Sequence, residues 1–126
     1  MEDKHKQVII EVDGVQIECD EGCADMVTPL NQVGLITKFS CQGKSNEKPY
    51  IMLDENVTDD LAEDFLAKIV AYQKENELPI YTNGTFRKWC RWFGKGLIYN
   101  WMYESATLER MNMDYELFSK VFKEKQ

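Results

Sequence analysis

The chain has 126 residues, 44% hydrophobic and 29% charged, which suits one soluble domain (residues 1–126) with a buried core and excludes a disordered polyelectrolyte. A formal net charge of -7 excludes the broad positive surface selected by long nucleic acids and anionic membranes, but leaves room for a small anion in a local basic pocket. No window approaches the run of about 18 apolar residues that spans a bilayer. MEDKHKQVII also lacks the apolar stretch of a secretory signal, so the expected location is the cytoplasm, where thiols stay reduced.

QVIIEV and VQIEC flank Asp13-Gly14, a strong hairpin turn signal. Val8, Ile10 and Val12 share one strand face, matched by Val15, Ile17 and Cys19 on the partner. DEGCADMVTPLNQVG then places Cys23, Met26, Val27, Leu30 and Val33 at helical spacing. Asp20 and Glu21 suit that helix's N-terminal end and Gly34 its stop, while Pro29 should kink it or shorten its first half. LITKFSC and PYIML read as strands joined by the polar loop QGKSNEK. A longer helix is expected from Asn56 or Thr58, with the stripe Leu61, Phe65, Ile69 and Tyr72, ending before Leu78-Pro79. PIYT reads as a short strand or extended segment and Asn83-Gly84 as a turn. The last helix is expected in NMDYELFSKVFKEK, capped by Asn112, with Met113, Leu117, Phe118, Val121 and Phe122 inward. The order predicts an α+β fold: a mostly antiparallel sheet with two to three helices packed on it.

The cysteines Cys19, Cys23, Cys41 and Cys90 form no CxxC pair, and the single His5 lies in a polar N-terminus. They read as small buried hydrophobes, with no metal or cofactor expected. No GxSxG, HExxH, P-loop or GxGxxG is present, so no catalytic residue is assigned. The acidic cluster Asp13, Asp20, Glu21 and Asp25 reads as solvated surface, and Ser40-Cys41-Gln42-Gly43 as a structural turn at a strand end.

FRKWCRWFGKGLIYNWMYE, residues 86–104, holds all three tryptophans of the chain with two arginines and two lysines. As a helix its first half would set Phe86, Trp89, Cys90 and Phe93 against Arg87, Lys88 and Arg91. As a strand it would alternate Arg87, Trp89, Arg91 and Phe93 with Phe86, Lys88, Cys90 and Trp92. The β-favouring LIYNWMYE and the intervening GKG favour a hairpin. One face of that hairpin would interleave guanidinium forks, which grip phosphate, with rings on which a base stacks for about 1–3 kcal/mol. On this chemistry Arg87 and Arg91 are expected to meet pyrophosphate, Trp89 or Trp101 adenine, and Asn100 and Tyr103 polar edges; Arg110 adds a further phosphate contact. The competing reading is that the aromatic hairpin is core or an oligomer interface, and the two roles can coexist.

IECDEGCADMVTPLNQVGLITKFSCQG, followed by PYIML and later YNWMYE, resembles small phage and prophage proteins. Their shared form runs acidic-Gly, a short helix, Leu-Asn, Gly, and a strand ending Ser-Cys-x-Gly. The likeness covers about residues 17 to 54 and 97 to 104 and is to the phage Thoeris anti-defence family, which acts as a sponge for cyclic ADP-ribose signals. The resemblance implies a homo-oligomer, dimer or higher, that holds a cyclic nucleotide between subunits without cleaving it. Some members also hold cyclic oligonucleotides at separate sites. Two other functions compete: a phage inhibitor docking the aromatic hairpin on a host protein, and a small nucleotide hydrolase using Cys41 or an acidic residue near Asp20.

Overall fold

A computed structural model describes residues 6–43 and 47–123; His5 and part of the QGKSNEK loop lie outside them. Strands β1 (Gln7–Val12) and β2 (Val15–Asp20) form a two-stranded antiparallel sheet. Val8 faces Cys19, Ile10 faces Ile17 and Val12 faces Val15, the alternation expected from the sequence. Asp13 (φ 51°) and Gly14 (φ 81°) both take the left-handed conformation that a type I′ turn requires.

A 3-10 turn, Glu21–Cys23, leads into α1 (Ala24–Gln32). Pro29 lies inside α1 without ending it. The helix stops in a Schellman motif: Leu35 N donates to Leu30 O (2.9 Å) and Gly34 N to Asn31 O (3.1 Å). Gly34 supplies the φ of 90° this stop needs. Strands β3 (Thr37–Cys41) and β4 (Tyr50–Leu53) follow, then α2 (Asp59–Glu75), β5 (Thr85–Phe93), β6 (Gly96–Glu104) and α3 (Leu108–Lys123). The second sheet is antiparallel throughout, in the order β3-β4-β6-β5. The fold is therefore a small α+β arrangement of three helices and two antiparallel sheets. No helix among the described residues is long and apolar enough to cross a membrane.

The helices cover one face of the larger sheet. Ile51, Leu53 and Tyr103 point from it into a buried cluster with Met26, Leu30, Phe65, Ile69, Met111 and Phe118. Phe65, Phe86, Tyr103 and Phe118 meet edge-on or tilted, with ring centroids 5.2–6.3 Å apart, the geometry aromatic quadrupoles favour. Thr58 caps α2, its Oγ1 accepting from Leu61 N at 3.2 Å.

Several expectations are corrected. Of the strand and the extended segment expected for PIYT, the strand is not formed; Gln73 instead reaches across to donate to Tyr81 O at 2.8 Å. The last helix begins at Leu108, ahead of Asn112, and is capped by Thr107, whose Oγ1 accepts from Arg110 N at 3.1 Å. The inward face then runs Met111, Phe118 and Val121, and Met113 is exposed. Asp20 is buried, not solvated: it accepts from Gln7 Nε2 and from Gln42 N. That bond ties the Ser40-Cys41-Gln42-Gly43 segment to the end of β2. Of the free cysteines, Cys19 and Cys23 are buried, Cys41 is half-buried and Cys90 exposed. Burial, then the neighbouring Asp20 charge, pushes the Cys23 thiol up to about 12, the behaviour of a core hydrophobe.

Candidate functional site

Residues 86–104 form a hairpin, with Thr85 opposite Glu104 and Phe93 opposite Gly96. β-branched and aromatic residues at alternating positions favour the strands. Gly94 takes φ 60° at the first loop position, the requirement of a type II′ turn.

The register sorts the side chains into two sets. Phe86–Tyr103, Lys88–Trp101, Cys90–Tyr99 and Trp92–Leu97 are cross-strand pairs on the face that begins under the helices. Arg87–Met102, Trp89–Asn100 and Arg91–Ile98 are pairs on the opposite face. Burial falls steadily toward the tip on the first face. Tyr103 is fully buried, Trp101 half-buried, and Tyr99 and Trp92 are 50% and 77% exposed. On the second face Trp89 is 41% exposed and Asn100 only 1%.

Arg87, Trp89, Arg91 and Asn100 are thus brought to one face, while Trp101 and Tyr103 stand on the other. Arg110 is exposed in the first turn of α3, beyond the base of the hairpin. Alternation alone separates odd from even positions along β5. The pairing of Arg87 with Met102, and not with Trp101 or Tyr103, is what keeps the tryptophan of β6 off the arginine face. Tyr103 is a core residue: burial first, then its bond to Asp114, pushes its phenol up, and its OH donates to Asp114 Oδ2 at 2.5 Å.

Each polar side chain here already has work inside the chain. Asn100 donates through Nδ2 to Leu53 O (2.9 Å) and to Glu55 Oε2 (3.3 Å). Its Oδ1 is buried without a hydrogen-bond partner. Lys38 holds the Glu55 carboxyl at about 2 by a two-oxygen contact at 2.8 and 2.9 Å. Arg87 lies 3.7 Å from Glu104 in an exposed pair, worth at most about 1 kcal/mol, so its guanidinium is cheaply diverted to another acceptor.

On the other face Asp59, in the first turn of α2, accepts from Lys88 Nζ at 2.7 Å and from Trp101 Nε1 at 2.9 Å. Lys88 lies 5.7 and 5.9 Å from the Tyr99 and Trp101 ring centroids, within cation–π range. This cluster fastens the middle of the hairpin to the helix. Sequence reasoning missed it because the Asp59–Trp101 contact joins elements 42 positions apart. The Lys88 bond, then the Trp101 bond, lowers the Asp59 carboxyl below its ordinary 3.8. Its stabilising effect is therefore present above that value and is lost as pH falls through the lower folded one. Asp59→Asn should reduce the melting temperature at neutral pH, and the difference from wild type should shrink as pH falls below the ordinary carboxylate value and vanish below the lowered folded one. A gap between the two proteins that stays constant across pH 2–7, measured by thermal scans, would remove the ion pair from the account.

Two cavities, of about 230 and 140 Å³, lie elsewhere: one by α3 and residues 78–83, the other by β1, β2 and Ile36. Neither is lined by any of the seven predicted site residues. Among the described residues, no group of three or more His, Cys, Asp or Glu side chains is placed to hold a metal.

A protein-family model described as YoqC prophage protein matches residues 7–123. No curated protein matches the chain, and no solved structure does.

Proposed function

The chain belongs to the YoqC prophage protein family, and on that footing we propose that it is a non-catalytic binding protein whose β5–β6 hairpin docks on a host protein. What supports this is the outward half of the hairpin, where Trp92 (77% exposed), Tyr99, Leu97 (45%) and Trp89 stand on both faces. Water-exposed tryptophan is unfavourable in a free monomer, and large aromatic side chains dominate the energetics of protein interfaces. Lys95 and Arg91 add positive charge near the tip of an otherwise acidic chain, which suits an acidic patch on the partner.

A second reading, sequestration of a cyclic ADP-ribose-type nucleotide, is favoured by a different observation. Trp89, Arg87 and Arg91 share one face of the hairpin, with Asn100 buried beneath them. A ring and guanidinium forks are the groups such a ligand uses. On this reading a second copy of the chain encloses that face.

One pair of measurements separates the readings. Trp92→Ala combined with Tyr99→Ala should leave the melting temperature within about 2 °C of wild type, since both side chains are exposed. The same variant should weaken a stoichiometric host complex at least about 30-fold, the effect of losing interface anchors worth about 2 kcal/mol or more. Calorimetry with cyclic ADP-ribose isomers should then give no heat for either protein. Tight binding of an isomer, abolished by Arg91→Ala and untouched by Trp92→Ala, would reverse the order of the two readings.

A further inference from the structure

From the 230 Å³ groove between α3 and residues 78–83 we infer a second, separate recognition site, one that takes a single arginine side chain projecting from a partner protein. Its walls are Leu78, Met113 and Leu117, its rim includes Tyr81, and its carboxylates are Glu116 and Asp114.

Size limits the guest first. Pockets for drug-sized ligands run from about 300 Å³ upward, so this groove suits one long side chain better than a whole small molecule. Charge limits it next. Two carboxylates line the groove and no lysine or arginine does. Asp114 is held only by neutral donors, namely Asn83 N, Asn83 Nδ2, Gly84 N and Tyr103 OH. Its charge is hydrogen-bonded but not cancelled, and Glu116 is exposed beside it.

The walls then choose among cations. Met113 is 52% exposed and Tyr81 64%, an apolar strip with an aromatic face and no partner element over it among the described residues. An arginine satisfies all three features together. Its methylenes lie along Met113 and Leu117, its guanidinium forks onto Glu116, and its flat head stacks on Tyr81. The segment 78–82 has strand-like residues and pairs with no strand among the described residues.

The test uses the full chain, isotopically labelled for amide NMR. The probe is the capped tripeptide acetyl-Leu-Arg-Leu-amide, against its citrulline and glutamate counterparts. Citrulline keeps the shape of arginine and removes its charge. The arginine peptide should shift the amides of Tyr81, Asn83, Met113 and Leu117, saturating at millimolar concentration, with the citrulline peptide at least about tenfold weaker. Glu116→Gln, an exposed change that leaves the fold intact, should weaken the arginine peptide about fivefold or more. Equal response to arginine and citrulline overturns the inference, as does no saturating shift at these amides. Neither result depends on the hairpin, so this site stands or falls apart from the docking function above.

Discussion

Asp114→Ala should destabilise the protein by about 3–5 kcal/mol, one of the two largest single-residue effects expected in this chain. Asp114 is 2% exposed. Oδ1 accepts from Asn83 N (2.8 Å) and Asn83 Nδ2 (3.3 Å), and Oδ2 accepts from Gly84 N (2.7 Å) and Tyr103 OH (2.5 Å). Alanine leaves those donors in place with nothing to receive them. Each buried donor left unsatisfied costs about 1–3 kcal/mol, and the losses do not add fully because they share one site. Tyr103→Phe removes one charge-assisted bond and leaves the others, so about 1.5–3 kcal/mol is expected. The double variant should then lose less than the sum of the singles, measured by denaturant unfolding. The raised Tyr103 phenol has a consequence of its own. A group with a folded pKa above its unfolded 10 contributes stability that is full below pH 10 and fades as pH rises beyond it. Alkaline unfolding should therefore be blunted in Tyr103→Phe. A loss below about 1 kcal/mol in Asp114→Ala would mean that water or a shifted loop satisfies the donors.

This carboxylate also shows what sequence reasoning reaches and what it does not. The hairpins were legible, because Asp13-Gly14 and the GKG of residues 94–96 mark turns between alternating runs. Gly34 was legible as a stop, and the start of α2 was narrowed to Asn56 or Thr58, since both signals act on their own helix. By sequence alone Asp114 is one more acidic residue near the start expected for the last helix. Its acceptors' partners sit 30 positions away at Asn83-Gly84, and no local pattern encodes that distance. Of the two readings of PIYT, the strand is not formed for a related reason: its residues favour one, but β5 is an edge strand already paired with β6 and no other strand meets the segment among the described residues. At the candidate site, alternation separated Arg87, Trp89 and Arg91 from their neighbours correctly. What it could not supply was the cross-strand register, and the register put Trp101 and Tyr103 on the helix side.

Gly84→Ala is the second change expected to act strongly, and its reason is steric, not conformational. A Cβ there would lie 2.5 Å from Tyr103 Cζ and 2.6 Å from Glu104 O, well inside contact distance. The backbone carbonyl belongs to β6 and cannot step aside without moving the strand. The ring cannot step aside either. It is bonded to Asp114 and packed 5.2 Å from the Phe86 ring and 6.3 Å from the Phe118 ring. Overpacking of a core usually costs about 1–3 kcal/mol, and with both neighbours fixed we expect about 3 kcal/mol or more. Gly96→Ala gives the matched control. A Cβ at Gly96 meets nothing within 4 Å, and its backbone needs no left-handed φ, so it should be neutral or slightly stabilising. The pair also separates two ways of losing function. Gly84→Ala should weaken host binding only in proportion to the folded fraction, and stabilising conditions should restore it. Trp92→Ala should weaken binding at an unchanged melting temperature, because it removes the contact and leaves the scaffold. Equal stability of the two glycine variants in denaturant would show that the base of the hairpin yields freely, and the rigid presentation of its tip would go with it.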